Sequence, residues 1–134
     1  MRILLILLVM IPSSLSTSIR ITPLNPPPQS YKVKVSMYTT SVGQTDSDPL
    51  MTASGYKLSA TNPKAHRIIA VSRDLKRLLG FGTRVMVQGI GKWSGVYVIR
   101  DVMNARFTKK IDILINPTDK AISFHSATLT PIQE

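Results

Sequence analysis

The sequence predicts a small all-β domain, a closed six-stranded barrel with two short helices, and three observations predict it. Short apolar runs with a period of two recur at close intervals between residues 31 and 132, and glycines, prolines and Ser/Thr clusters separate them. Only two stretches carry a helical start and stop, and neither is long enough for more than about two turns of the 3.6-residue helix. The chain has no cysteine, so disulfides and metal-thiolate staples are excluded and the core itself must hold the fold. Closing a sheet of short strands into a barrel removes its exposed edges.

In order, residues 31–38 (YKVKVSMY) alternate lysine and valine and predict the first strand. Residues 39–63 show no sustained period, and a stretch this long in a compact domain is usually a functional loop. Residues 67–71 (RIIAV) read as the second strand. Ser72 is positioned to cap a helix over 73–79 that Gly80 ends. The Gly82-Thr83 turn leads to a third strand at 84–88, and Gly89, Gly91 and Gly95 punctuate the path to a fourth at 96–101. A fifth is expected at 110–115 and a sixth at 126–132. Asn116-Pro117 predicts the second helix, with Asn116 as cap and Pro117 in the first helical position.

Upstream of residue 31, Arg2, the unbroken apolar run 3–11 (ILLILLVMI), Pro12 and a string of small residues spell a secretory signal peptide over 1–18, cleaved after Ser16 or Ser18. The run is about half the roughly 20 residues that cross a bilayer, and no second one follows. The mature chain is therefore expected to be exported, to periplasm or to cell wall and exterior, without a membrane span and as a monomer. Residues 19–30, with Pro23, Pro26, Pro27 and Pro28, read as a semi-rigid linker, which leaves 31–134 as the domain.

Seventeen basic residues stand against seven acidic ones, a formal charge of +10, or +8 without Arg2 and Arg20. Such a surface attracts polyanions. Export argues against nucleic acid and favours anionic cell-envelope polymers.

The seven acids can be sorted by position. Asp74 and Asp119 fall in the first turns of the expected helices, where a carboxylate offsets the macrodipole, and Glu134 is terminal. Asp46, Asp48, Asp101 and Asp112 remain. Asp112 lies between Ile111 and Ile113, which leaves two readings: the solvent face of a half-buried strand, or an acid whose pKa is raised so that it can donate a proton. Asp46 and Asp48 suit a turn, and Asp101 suits a strand end. His66 and His125 lack the spacing of a metal pair, and no nucleophile elbow or phosphate-cradling loop occurs, so no metal or cofactor is expected. Carboxylate chemistry in an exported basic domain points to polysaccharide cleavage, because a glycosidic oxygen leaves poorly until it is protonated.

Three stretches, 45–55 (TDSDPLMTASG), 69–87 (IAVSRDLKRLLGFGTRVMV) and 99–113 (IRDVMNARFTKKIDI), resemble the 3D domain family, named for three aspartates and similar to the catalytic barrel of membrane-bound lytic transglycosylase A. The resemblance implies a double-psi β-barrel acting on peptidoglycan glycan strands, cleaving between N-acetylmuramic acid and N-acetylglucosamine and leaving a 1,6-anhydro end. It assigns Asp112 as general acid/base, Asp101 as its companion eleven positions earlier, and Asp48, or its neighbour Asp46, as the loop aspartate. Where many relatives have Asp-x-Gly, this chain has Asp101-Val102-Met103-Asn104. Substrate contacts are expected from Asp46, Thr52, Ser54, Gly55, Lys57, Arg100, Asn104, Arg106 and Lys110, with Lys109 beside them. The alternative expectation is a non-catalytic, expansin-like module that binds or loosens the wall.

Overall fold

A computed structural model describes residues 12–14, 16, 18, 27–41 and 48–133. Most of the expected leader and linker, Asp46 and Glu134 lie outside the described residues.

Strands β1 (Tyr31–Tyr38), β2 (Ile68–Val71), β3 (Arg84–Gln88), β4 (Gly95–Val102), β5 (Lys110–Leu114) and β6 (Phe124–Pro131) close into one barrel in the order β1-β5-β2-β4-β3-β6. The neighbours β1/β5 and β2/β4 are parallel, and the other four pairs are antiparallel. Helix α1 (Arg73–Leu79) follows β2. Alternate residues fill the interior, among them Val33, Val35, Ile69, Val71, Ile111 and Ile113. Ile111 and Ile113 are 0% exposed, and burying each side chain contributes about 1.5–3 kcal/mol. A slip of one residue in β5 would turn both out and turn Asp112 in, so the register is strongly held.

A second apolar cluster forms on the outside of the wall, where Tyr38, Ile68, Ala70 and Leu114 meet Leu58 and Met103 from the flanking loops. The 48–58 segment covers this face. Its hairpin is closed by the Met51–Lys57 bridge and by Gly55, whose φ of 81° suits glycine.

The second expected helix is not formed. Asn116 and Asp119 close a single turn, the Asp119 N–H donating to the Asn116 carbonyl (2.9 Å) and the Asn116 N–H to Asp119 Oδ2 (3.0 Å). No apolar stripe follows to offset the cost of nucleating more turns. Asp119 therefore does not act on a helix dipole; it pairs with Lys64 at 3.1 Å. Two short 3₁₀ turns, Pro63–His66 and Gly91–Trp93, occupy stretches read as loop. Arg67, expected in β2, instead precedes it with φ 53°, a left-handed backbone that no strand accepts. Ser72 is the N-cap residue, yet its Oγ accepts from the Lys110 N–H (3.1 Å) and makes no cap bond. Among the described residues, no helix is long and apolar enough to cross a membrane.

Candidate functional site

The site begins with strand register. On the outer face, Ser36 of β1 pairs with Asp112 of β5, Asp112 with Ala70 of β2, and Ala70 with Asp101 of β4. Ser36, Asp112, Ala70 and Asp101 thus form one row across four adjacent strands. Strands lie about 4.8 Å apart, so the two aspartate backbones stand ~10 Å apart with only a methyl group between them.

A bulge makes this possible. Ile99 pairs with Ile69, but Asp101, two residues on, pairs with Ala70, only one residue on, so Arg100 is the extra residue. Simple alternation from the buried Ile99 would send Asp101 inward. The bulge re-aims it to the outer face. Clamps at the start of β5 fix Asp112 in the same way. Ser72 donates its N–H to the Lys110 carbonyl (2.9 Å), and Asp74 Oδ2 accepts the N–H of Lys109 (3.0 Å), whose φ is 46°. At Asp74, burial pushes the pKa up, but hydrogen bonds from Ser72 and from the Lys109 N–H outweigh it and lower the pKa overall.

Asp112, Ala70 and Asp101 of this row floor a cleft of about 720 Å³. Asp48, Asp101 and Asp112 all line it, as do Tyr38, Arg73 and Arg106. Asp112 Oδ1 accepts from Ser36 Oγ at 2.8 Å. Asp101 Oδ1 accepts the N–H groups of Ala53 (3.1 Å) and Val102 (3.0 Å), and its Oδ2 faces the Tyr38 hydroxyl at a long 3.4 Å.

Burial is the main cause that raises the Asp112 pKa, and the negative charge of Asp101 adds to it; the Ser36 hydrogen bond and the Lys110 charge work the other way. Both the outer-face placement and the raised pKa of the two readings are present at Asp112. It lies on the outer face of a strand, but loops cover that face and withhold water. Like charge from Asp101 is the lesser cause. Tyr38 is only 9% exposed. Burial, then the charges of Asp101 and Asp112, push its pKa well up, so the phenol keeps its proton and faces Asp101 as a donor.

The other expected residues divide. Thr52 and Asn104 line the cleft. Thr52 Oγ1 accepts the Tyr56 N–H (3.1 Å) and exchanges a hydrogen bond with Ser54 Oγ (3.0 Å), while Asn104 Oδ1 accepts the Arg106 N–H (3.1 Å). Asp48 Oδ1 likewise accepts the Leu50 N–H (3.1 Å), so it closes a turn while facing the cleft. Ser54, Gly55, Lys57 and Arg100 do not line it: the first two build the hairpin, Lys57 is exposed, and Arg100 lies over the Tyr56 ring at 4.9 Å. Lys110 does not line it either; its ammonium lies 4.2 Å from the Phe107 ring centroid. His66 packs, its Nε2 accepting the Ser59 N–H at 2.9 Å.

Ser36, Tyr38, Ala70 and Arg73 were missed. The Ser36 position on the lysine face of β1 was visible in the alternation; its partner was not, because pairing β1 with β5 joins residues 76 positions apart. Among the described residues, no three His, Cys, Asp or Glu side chains come together to hold a metal ion.

No protein-family model matches the chain, and neither does any curated protein.

Proposed function

We propose that the chain is an exported lytic transglycosylase acting on peptidoglycan, a member of the 3D domain family built on a double-psi barrel. The closed ring with two separated parallel pairs supports the barrel assignment. One observation carries the functional reading: Asp112 and Asp101 flank Ala70 in a single row, at the floor of a cleft whose burial raises the Asp112 pKa.

In the reaction, neutral Asp112 gives its proton to the glycosidic oxygen as the bond to C1 of N-acetylmuramic acid breaks, and positive charge develops at C1. The carboxylate left behind takes the proton of the sugar's own C6 hydroxyl while that oxygen bonds to C1. The products are a 1,6-anhydro end and a free N-acetylglucosamine hydroxyl; water is neither added nor lost. One carboxyl serves both steps because the nucleophile belongs to the substrate, unlike the two-carboxyl arrangement of hydrolases. Asp101 and the Tyr38 phenol position and polarise the cleft around Asp112. Arg73 and Arg106, which line the cleft, are the cations this reading assigns to the carboxylates of the stem peptide.

Purified full-length protein incubated with peptidoglycan sacculi is expected to release anhydro-muropeptides detectable by mass, and Asp112→Asn to remove them. Binding to sacculi without release, unchanged by Asp112→Asn, would instead establish a non-catalytic wall-binding module.

A further inference from the structure

A second cleft, of about 380 Å³, shares no lining residue with the first. It lies toward the other end of β2, β4 and β5, beside Arg67, Tyr97 and Leu114. Three cations line it: Lys64, Arg67 and Lys92. Its one carboxylate, Asp119, is already paired with Lys64. The cleft therefore carries an excess of two positive charges. These cations are arranged on aromatic rings. Lys64 and Lys92 lie 6.0 and 5.6 Å from the Trp93 ring centroid, and the Arg67 guanidinium lies 4.0 Å from that of Tyr97.

The backbone is shaped for this. Arg67 holds a left-handed φ of 53°, which is costly for a residue with a side chain, and its Nε donates to the Val96 carbonyl at 3.2 Å. A Cβ on Gly95 would come within 2.7 Å of an Arg67 guanidinium nitrogen, so the absence of a side chain there makes the guanidinium's seat. Lys64 is fixed from the other side, its N–H donating to Asn116 Oδ1 at 3.0 Å. The same left-handed residue ends the 3₁₀ turn Pro63–His66, its N–H donating to the Lys64 carbonyl at 3.1 Å, so the turn that carries Lys64 also delivers Arg67 to the cleft.

We propose that this cleft is a second, non-catalytic binding site for an acidic sugar, whose ring packs on Trp93 while its anionic group lies between Arg67 and Lys92. The C–H face of a pyranose is apolar and matches the flat indole, and the half-buried Trp93 is still open to the cleft. A lone anion would use the cations but not the ring; a neutral sugar would use the ring but leave the excess charge unmatched. The anionic group is a uronic-acid carboxylate or a sugar-borne phosphate. This site does not depend on the lyase reading.

Trp93 is the only tryptophan, so its fluorescence reports on this cleft directly. The full chain is titrated with trigalacturonate, N-acetylglucosamine 1-phosphate, neutral chitotriose and inorganic phosphate. Saturable change is expected with at least one of the two acidic sugars, the tighter one naming the source, and at least tenfold weaker binding of chitotriose and phosphate. Arg67→Gln and, on an exposed side chain that the fold does not need, Lys92→Gln should each weaken binding about tenfold, the scale of one hydrogen bond to a charged group. Asp112→Asn should leave it unchanged. No saturable change with either acidic sugar, chitotriose or phosphate binding equally well, or equal weakening by Asp112→Asn, overturns the proposal.

Discussion

The two clefts share strands β4 and β5 and have opposite electrostatics. Arg67, just before β2, and Ala70 within it are only three residues apart, at most about 10 Å of chain, yet one end gathers cations on aromatic rings and the other sets carboxyls around a methyl group. The difference lies in how each charge is accommodated. Arg67, Lys64 and Lys92 rest against π faces that favour their charge, and the two lysines are exposed. Asp112 gets no cation at hydrogen-bonding distance among the described residues; it has Ser36, a neutral donor, and a burial that penalises ionisation. A cleft that stabilises its charges is suited to holding a ligand, and one that destabilises a charge is suited to moving a proton.

The largest effect should separate them outright. Asp112→Asn is expected to lower anhydro-muropeptide release at least a hundredfold, the low end for loss of a general acid, with the Trp93 titration unmoved. Next comes the pH profile of cleavage. An acid that must be protonated loses activity as pH rises through its own pKa, so the alkaline limb reports Asp112. Asp101→Asn removes a charge that raises that pKa and should move the limb down. Ser36→Ala removes a hydrogen bond that lowers it and should move the limb up. Opposite movements are the signature; shifts of the same sign would break the assignment of causes.

A smaller effect is expected from Gly95→Ala. The residue sits at φ 144° and its new methyl would meet Arg67, so stability should fall by about 1 kcal/mol, and acidic-sugar binding with it, while cleavage continues. Smaller still is the pH dependence of stability. The raised Asp112 pKa means that the folded state holds a proton the unfolded chain releases, so stability falls as pH rises from the ordinary carboxylate range through the folded value. Melting curves of wild type and Asp112→Asn should therefore diverge in favour of the variant over that window and run parallel above it.

The acidic cleft was largely legible in the sequence and the basic one was not, for a reason of numbers. With seven acids, eliminating helix starts and the terminus isolates four, of which the three that are described line one cleft. With seventeen bases no such elimination works, and Lys64, Arg67 and Lys92 look like any solvated surface. The strands were legible because period-two burial is a local property; Ile111 and Ile113 announce an inward face by themselves. Their order around the barrel was not, since β1 meets β5 and β2 meets β4 only through contacts distant in sequence. Neither was the Arg100 bulge, and it decides that Asp101 joins Asp112. The helix at Asn116-Pro117 failed because capping residues mark a start without ensuring a continuation.

The central claim is that Asp112 remains protonated above the pH at which carboxyl groups usually ionise, chiefly because its surroundings withhold water. A ¹³C NMR titration of its side-chain carboxyl tests this without any substrate. The midpoint should lie above that of a free aspartate and fall, without reaching the free value, in Asp101→Asn, because burial remains when the charge is gone. A midpoint at the ordinary aspartate value in the wild-type protein would contradict the account.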